Sequence, residues 1–338
     1  MSNAFSTSDN KQTNLIIATR GSSLALWQAE WVKQRILDEY PEISVELLVV
    51  KTAGDKIQDR PLSEIGGKGL FVKELEYALL EGRADLAVHS MKDVTSFLPQ
   101  GLEISVIAER EDPGDAWICP KFGSIDNFPD GAVVGTSSLR RASQLQHHRP
   151  DLTVISLRGN VETRLRKLDQ GEVDAVILAV SGLKRIKLDK RITEILPIAW
   201  MLPAIGQGAI GIETRTGDEA TLSRIQHLHD SLTWDGLLAE RSLLAELEGN
   251  CQLPLAGYCI LNGEELFLRA FIGDSKGKIQ LRYEASGPRQ NALQLGKDVA
   301  QWMLKNGGEE ILLRAVDAEK YKLNESFVCT STHWKDIF

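Results

Sequence analysis

Short unbroken apolar runs alternate with runs of three-to-four-residue spacing along the first two hundred positions. "NLIIAT" (14–19) predicts a buried strand, and "SSLALWQAEWVKQRIL" (22–37) puts Leu24, Trp27, Trp31 and Val32 on one helical face. Pro41 stops that helix, and "ISVELLVV" (43–50) predicts a second strand. A glycine-rich loop (65–69) leads to a helix with Phe71, Leu75, Ala78 and Leu79 on one side, and "ADLAVHS" (84–90) predicts a third strand. Strands alternating with helices imply a parallel α/β sheet.

The pattern then recurs. "AVVGT" (132–136) predicts a strand, Ser138 starts a helix, Pro150 stops it, and "LTVISL" (152–157) predicts a strand. The next helix holds Val161, Leu165 and Leu168. "LDQGEVDAVILAV" (168–180) echoes "LLEGRADLAV" (79–88): Gly82 with Asp85, then Gly171 with Asp174, each before an apolar strand. Two related α/β lobes are expected, roughly 14–108 and 114–202. The last third changes character. A helix from Thr233 to Glu248, ended by Gly249, precedes short alternating strands at 258–273, with an Asn-Gly hairpin signal, and at 278–286. A helix near 290–305 should end at "NGG" (306–308). The fold class is therefore α/β, two related lobes plus a small C-terminal α+β domain with an antiparallel sheet.

Length and composition fit this reading. The chain has 338 residues, 43% hydrophobic and 25% charged, as a soluble globular protein does. No apolar run is long enough to span a bilayer, and residues 1–13 read as a flexible tail without a signal peptide. The net charge of −8 argues against a general nucleic-acid binder. Four scattered cysteines with no CxxC pair fit a reduced, cytoplasmic setting and no zinc site.

Candidate chemistry lies on loops after strand C-terminal ends, where open α/β sheets bind ligands. Arg20 and Ser22 follow the first strand, and Lys92 the third. Thr136, Ser137, Ser138, Arg140 and Arg141 follow the strand at 132–135. Arg158 and Arg164 follow the strand at 152–157, and Lys184 and Arg185 the strand at 173–180. Any one of these arginines is ordinarily a solvated side chain or an ion-pair partner. Together with helix N-termini they suit a polyanion, carboxylate or phosphate, held between the lobes. Asp93, an acid in this basic setting, is either a cap or a partner for Lys92, or a group that stabilises positive charge and moves protons. Cys251 follows a helix end, where a thiol is either a small buried hydrophobe or an exposed nucleophile. "GQGAIG" (206–211) matches G-x-G-x-x-G, but a strand rather than a helix follows it, so no dinucleotide site is expected. The paired histidines lack metal-ligand spacing.

Seven blocks carry a resemblance: "ATRGSSLALWQ", "GGKGLFVKELE", "ADLAVHSMKDV", "GTSSLRR", "SLRGNVETRL", "LAVSGLKR" and "ERSLLAELEGNCQLPL". In that order, from about residue 14 to at least 310, they resemble the hydroxymethylbilane synthase (porphobilinogen deaminase) family. The resemblance implies two lobes like those of two-lobed anion-binding proteins and a third domain carrying a reactive cysteine. It implies that residues 203–228 return to the first lobe, giving domains of 14–108 with 203–228, 114–202, and 231–338. It implies a monomeric transferase of heme and tetrapyrrole biosynthesis. Such a transferase joins four porphobilinogen molecules head to tail, releases ammonia, and yields hydroxymethylbilane. A dipyrromethane cofactor would be attached to Cys251 by a thioether, and Asp93 would be the catalytic aspartate, its carboxylate stabilising positive charge and helping to move protons. Arg20, Ser22, Lys92, Thr136, Ser137, Ser138, Arg140, Arg141, Arg158, Arg164 and Arg185 would bind cofactor and substrate carboxylates. Lys68 on a covering loop and Gln207 complete the implied set. The chain departs from the family at Asn250, where a small residue usually precedes the cysteine, and at Thr95, commonly Pro. A two-lobed binding module for a multi-carboxylate ligand, without turnover, is the alternative that the arginine-rich loops alone would fit.

Overall fold

The computed structural model describes residues 14–56, 69–247 and 253–314. Its first sheet starts with β1 (Asn14–Arg20), β2 (Ser44–Val50) and β3 (Leu86–Ser90), all parallel, and includes β4 (Leu102–Ile107). The chain then crosses to a second sheet of β5 (Asp115–Ile118), β6 (Val133–Gly135), β7 (Thr153–Ile155), β8 (Ala175–Ala179) and β9 (Glu194–Leu196). It returns as β10 (Ile210–Arg215), inserted antiparallel between β3 and β4. The strand orders are β2-β1-β3-β10-β4 and β7-β6-β8-β5-β9. In each sheet four strands run one way and one, β10 or β5, which directly follows a crossing, lies antiparallel between the last two.

The repeat seen in the sequence has a physical basis. Gly82 and Gly171 turn the chain at φ 69° and 75°. The aspartate three residues on then bonds the neighbouring strand: Asp85 Oδ2 accepts from Ile16 N at 2.8 Å, and Asp174 Oδ2 from Val133 N at 2.9 Å. The same short motif thus starts the third strand of each lobe in register.

Helices α1 (Ser23–Glu39) and α2 (Lys73–Leu80) cover opposite faces of the first sheet. Ala29, Val32 and Ile36 of α1 pack on Leu15, Ile17 and Leu86, while Leu75, Ala78 and Leu79 of α2 pack on Ala18 and Ala87. All of these are essentially inaccessible, and each buried large aliphatic side chain contributes about 2 kcal/mol. In the second lobe α3 (Leu139–His148), α4 (Val161–Asp169) and α5 (Val180–Arg185) follow β6, β7 and β8. Ser138 caps α3 and Asn160 caps α4 through backbone N–H groups of the first turn.

After α6 (Glu219–Ile225), α7 (Ser231–Glu246) leads into the third sheet. The cap of α7 is Asp230, whose Oδ1 accepts from Thr233 N at 2.7 Å, rather than Thr233 itself. Thr233 Oγ1 instead accepts from Arg110 N. Strands β11 (Leu255–Asn262), β12 (Glu265–Gly273) and β13 (Gln280–Pro288) pair antiparallel, with Asn262 the last strand residue before the turn. Helix α8 (Ala292–Met303) lies against α7 and this sheet. The helical run ends at "NGG", as expected: Asn306 and Gly307 (φ 102°) leave helical geometry, and a second helical stretch then runs up to residue 314.

The crossings are clamped by one buried acid. Glu240 of α7, with no exposure, accepts from Arg110 Nη1 at 2.5 Å, Gly206 N at 2.8 Å and Cys259 N at 2.9 Å. Those partners belong to the first crossing, the second crossing and β11. A Cβ at Gly208 (φ 92°) would overlap the Glu111 carbonyl. The glycines of "GQGAIG" thus let the two crossings lie in direct contact. No helix among the described residues is long and apolar enough to cross a membrane.

Candidate active site

The ends of β1 and β3 open into a pocket lined by Arg20, Ser22, Gln28, Phe71, His89, Ser90 and Asp93, among others. Ser22 Oγ caps α1 by accepting from Ala25 N. Asp93 ends the 3-10 turn Met91–Asp93 and keeps a third of its side chain exposed. Arg20 bonds Asp55 through Nη2 at 2.5 Å and Nε at 3.3 Å, while Asp93 Oδ2 stays 3.9 Å from Nη1. Its guanidinium also lies 4.2 Å from the centre of the Phe71 ring. Burial would raise the Asp55 carboxyl, but hydrogen bonds from Arg20 and Thr52 overcome it and hold the group below its usual range. Asp55 therefore takes most of the Arg20 charge and leaves Asp93 an available anion.

On the facing lobe, Thr136 is buried at the end of β6, its hydroxyl accepting from Ser138 N, and Ser137 Oγ pairs with Ser156 Oγ at 3.1 Å. Arg140 and Arg141, on the first turn of α3, are 4% and 5% exposed and turn inward to Asp115 at the start of β5. Asp115 Oδ2 accepts from Arg140 Nη1 at 2.7 Å, and Oδ1 accepts from Arg141 Nη2 at 2.6 Å and Nε at 3.0 Å. The two arginines are then used unequally. Arg140 Nη1 also donates to Leu202 O at 2.7 Å, which ties α3 to the second crossing, and its Nε is buried with no partner. Arg141 donates to Ile177 O and reaches Gln207 Oε1 at 3.5 Å. Gln207 joins the halves of the site: its amide donates to Pro113 O and Asp115 Oδ1, and its Oε1 accepts from Lys92 Nζ at 3.4 Å.

Electrostatics put further groups in the same region. Burial, then Arg141, lowers the Lys92 ammonium to about 8, opposed by Asp93 and Asp115. Burial, then Arg141 and Arg158, lowers Arg164, while Asp93 across the cleft raises it. Arg164 Nε donates to Gly159 O, which fixes its stem at the start of α4. Burial would raise the Asp115 carboxyl, but Arg140 and Arg141 overcome it and hold it far below the usual range. Lys92, Arg141, Arg158, Arg164 and Asp93, from both lobes, are therefore close enough to feel one another's charge. Arg185 does not face it in the same way. It is buried, donates to Gly208 O at 2.7 Å and lies 5.8 Å from the Trp27 ring, so it braces the crossing. Lys184 pairs with Glu111 at 2.9 Å beside it. Lys68 and Cys251, like Asn250, lie outside the described residues.

Sequence reasoning missed Asp115, Asp55 and the pocket-wall groups Gln28, His89 and Ser90. Gln28 Nε2 donates to Ser90 Oγ at 2.9 Å, and His89 Nε2 lies 2.8 Å from Glu213 Oε2. Asp115, in "EDPGDAW", looks like one more acid of a surface run. Only the apolar residues after it hinted that it starts a buried strand.

Basic side chains gathered from two α/β lobes, with the part-exposed carboxylates of Asp55 and Asp93 beside them, are the surroundings that a many-charged anion would need. The sequence matches the model of the porphobilinogen deaminase dipyrromethane cofactor binding domain over residues 15–223, and that of the porphobilinogen deaminase C-terminal domain over 234–305. The chain belongs to the porphobilinogen deaminase family. It is a transferase that joins four porphobilinogen molecules, with release of ammonia, into the linear tetrapyrrole hydroxymethylbilane. Among solved structures it is similar to the VFT2 domain of Bordetella pertussis BvgS, at 18% identity over 68% of this chain and 92% of that one, TM-score 0.40. It is also similar to YhfZ from Shigella flexneri, at 18% identity over 70% and 98%, TM-score 0.33.

Proposed function

We propose that the cleft binds dipyrromethane and the growing oligopyrrole through their acetate and propionate groups, tethered by a thioether to Cys251. The supporting observation is the convergence of Lys92, Arg141, Arg158 and Arg164 on one cleft with Asp93. The donor set fits such a group. The buried Arg140 Nε without a partner, the hydroxyls of Thr136, Ser137 and Ser138, and the crowded guanidinium groups all favour added carboxylates. When bound, dipyrromethane supplies the anchor and a nucleophilic terminal pyrrole carbon.

The chain's own residues do the rest. Arg141, Arg158, Arg164 and Lys92 neutralise carboxylates as the chain lengthens. Arg140 and Gln207 hold the floor of the cleft to the crossings, and Arg185 braces them. Arg20 and Ser22 orient the reacting pyrrole, with Lys68 as a further cation. The Asp93 carboxylate faces the positive charge that develops as ammonia leaves; in a partly desolvated site such a group acts far more strongly than in water. We read the domains as 14–108 with 203–228, 114–202, and 231–338, which the place of β10 in the first sheet supports. The free, buried Cys119 and Cys259 accord with a reducing cytoplasm, and the working unit is a monomer.

Intact mass of the purified full chain tests the tether. An excess equal to two linked pyrroles is expected, and it should vanish in Cys251→Ser. Unmodified, folded protein made in the presence of porphobilinogen would refute the assignment. Asp93→Ala should keep the adduct and lose most turnover; near-normal rates would remove Asp93 from its role.

A further inference from the structure

The wall of the Asp93 pocket carries a titratable group that the reading above leaves unused. His89 is 5% exposed, yet it lines the pocket beside Arg20, Ser22 and Asp93. Ala18 of β1 pairs with Ala87 of β3, so Arg20 and His89, each two residues on, stand side by side on one sheet face. The ring is held from behind: Nε2 lies 2.8 Å from Oε2 of Glu213 on β10. No other described residue bonds the ring. If Glu213 accepts from Nε2–H, Nδ1 is the ring nitrogen left for a ligand in the pocket that His89 lines. Glu213 is 1% exposed and its second oxygen has no partner. A buried carboxylate left that way gains if its neighbour becomes a cation. The surrounding charged groups are Glu76 from α2, Arg241 from α7, which donates to Thr95 O, and Arg20 and Asp93 on the pocket side.

We propose that His89, oriented by Glu213, is a second catalytic group, taking the proton that leaves the terminal pyrrole carbon as each new ring is joined. The inference rests on the reading that this pocket holds the reacting pyrrole. In each addition the C–N bond of the incoming protonated aminomethyl group (CH2–NH3+) breaks, its electron pair leaving on ammonia and a cationic methylene pyrrolenine remaining. A C–C bond forms from the electrons of the terminal pyrrole. The C–H bond at that carbon then breaks, its pair returns to the ring, and its proton passes to His89 Nδ1. The released ammonia or water removes it before the next addition. The arrangement separates the two tasks: His89 carries the proton, and Asp93 faces the charge that develops on the pyrrole.

The test uses full-length His89→Gln and Glu213→Gln with porphobilinogen deuterated at its free α-carbon. Intact mass should show the normal adduct in both variants. Turnover in His89→Gln should fall on the order of 100-fold, as for loss of a general base. Its hydrogen isotope effect should rise above that of the unaltered protein, because C–H cleavage becomes limiting. In [15N]histidine-labelled resting protein, NMR should find Nδ1 bare and Nε2 protonated, and Glu213→Gln should disturb that pattern. Near-normal turnover with an unchanged isotope effect in His89→Gln overturns the proposal, as does a resting Nδ1–H. If His89→Gln does not fold, Glu213→Gln alone decides, since it should show the same rise in isotope effect. Unaltered protein without adduct would overturn the cleft assignment as well. Active, loaded protein with an indifferent His89→Gln would sink only the role of His89.

Discussion

Asp115→Asn removes the one charge that Arg140 and Arg141 share while keeping the size of the side chain. Asp115 has no exposure and accepts from both guanidinium groups and from the Gln207 amide at 2.6–3.0 Å. The variant leaves two nearly inaccessible cations facing a neutral group, and half of that group is itself a donor. Removing one partner of a buried ion pair costs about 3–5 kcal/mol, mainly because the remaining charge stays desolvated. Arg140 keeps Leu202 O and Arg141 keeps Ile177 O, which caps the loss near that range. Urea unfolding should show a lower midpoint with an unchanged slope. The melting temperature should drop by roughly 6–20 °C for a cooperative unit of about 200 residues. The double variant Asp115→Asn with Arg140→Met should recover part of the loss, since one unpaired cation is gone. The fraction carrying the adduct should also fall, because Asp115 fixes the first turn of α3, whose cap Ser138 belongs to the proposed site. A single-variant loss below about 1 kcal/mol, the range of an exposed pair, would refute the claim that Asp115 organises this floor from inside a desolvated site.

Other outcomes follow from the same geometry. Glu240→Ala frees Arg110, Gly206 N and Cys259 N together, so it should cost at least about 3 kcal/mol by urea unfolding and loosen the third sheet from both crossings, seen as faster amide exchange in β11. Burial, then Glu213, raises the Glu76 carboxyl from 4.5 to about 7, so its stabilising share is complete below about pH 4.5 and is lost as pH rises through about 7. Glu76→Gln should flatten that decline and be more stable at pH 8 by at most about 3 kcal/mol, measured by melting across pH. Lys92 loses its charge as pH rises through about 8, so the KM for porphobilinogen should climb above that pH, and Lys92→Arg should abolish the climb.

Much of the fold could be read from periodicity and turn chemistry. The runs at 14–19, 43–50 and 84–90 became β1, β2 and β3: the apolar runs of β1 and β3 suit inner strands covered on both faces, while β2, with Ser44 and Glu46, lies at the sheet edge. The Gly-x-x-Asp pairs marked equivalent points in two lobes, because a positive-φ turn and a strand-bonding carboxylate are local requirements. Local signals failed where longer-range contacts compete. Thr233 has the chemistry of a cap, but Asp230 reaches the same N–H and Thr233 is taken by Arg110. "NGG" did stop the helix, at Asn306 and Gly307, but a second helical stretch follows it, with Gly308 packed closely under Met303 and Ile272.

The order of motifs along this chain was enough to fix its class, its repeated lobes and the loops that carry its cations, because each depends on neighbours close in sequence. Which cations stay available was decided only by the tertiary structure. Arg140 and Arg141 are adjacent and chemically identical, and a sequence gives them the same task. Folding brings Asp115 from the other side of the sheet between them, places Leu202 O against one and Gln207 against the other, and sends Arg185 into the crossing. Charge is a property of a residue. Its availability is set by the desolvated groups around it, and those come from parts of the chain far apart in sequence.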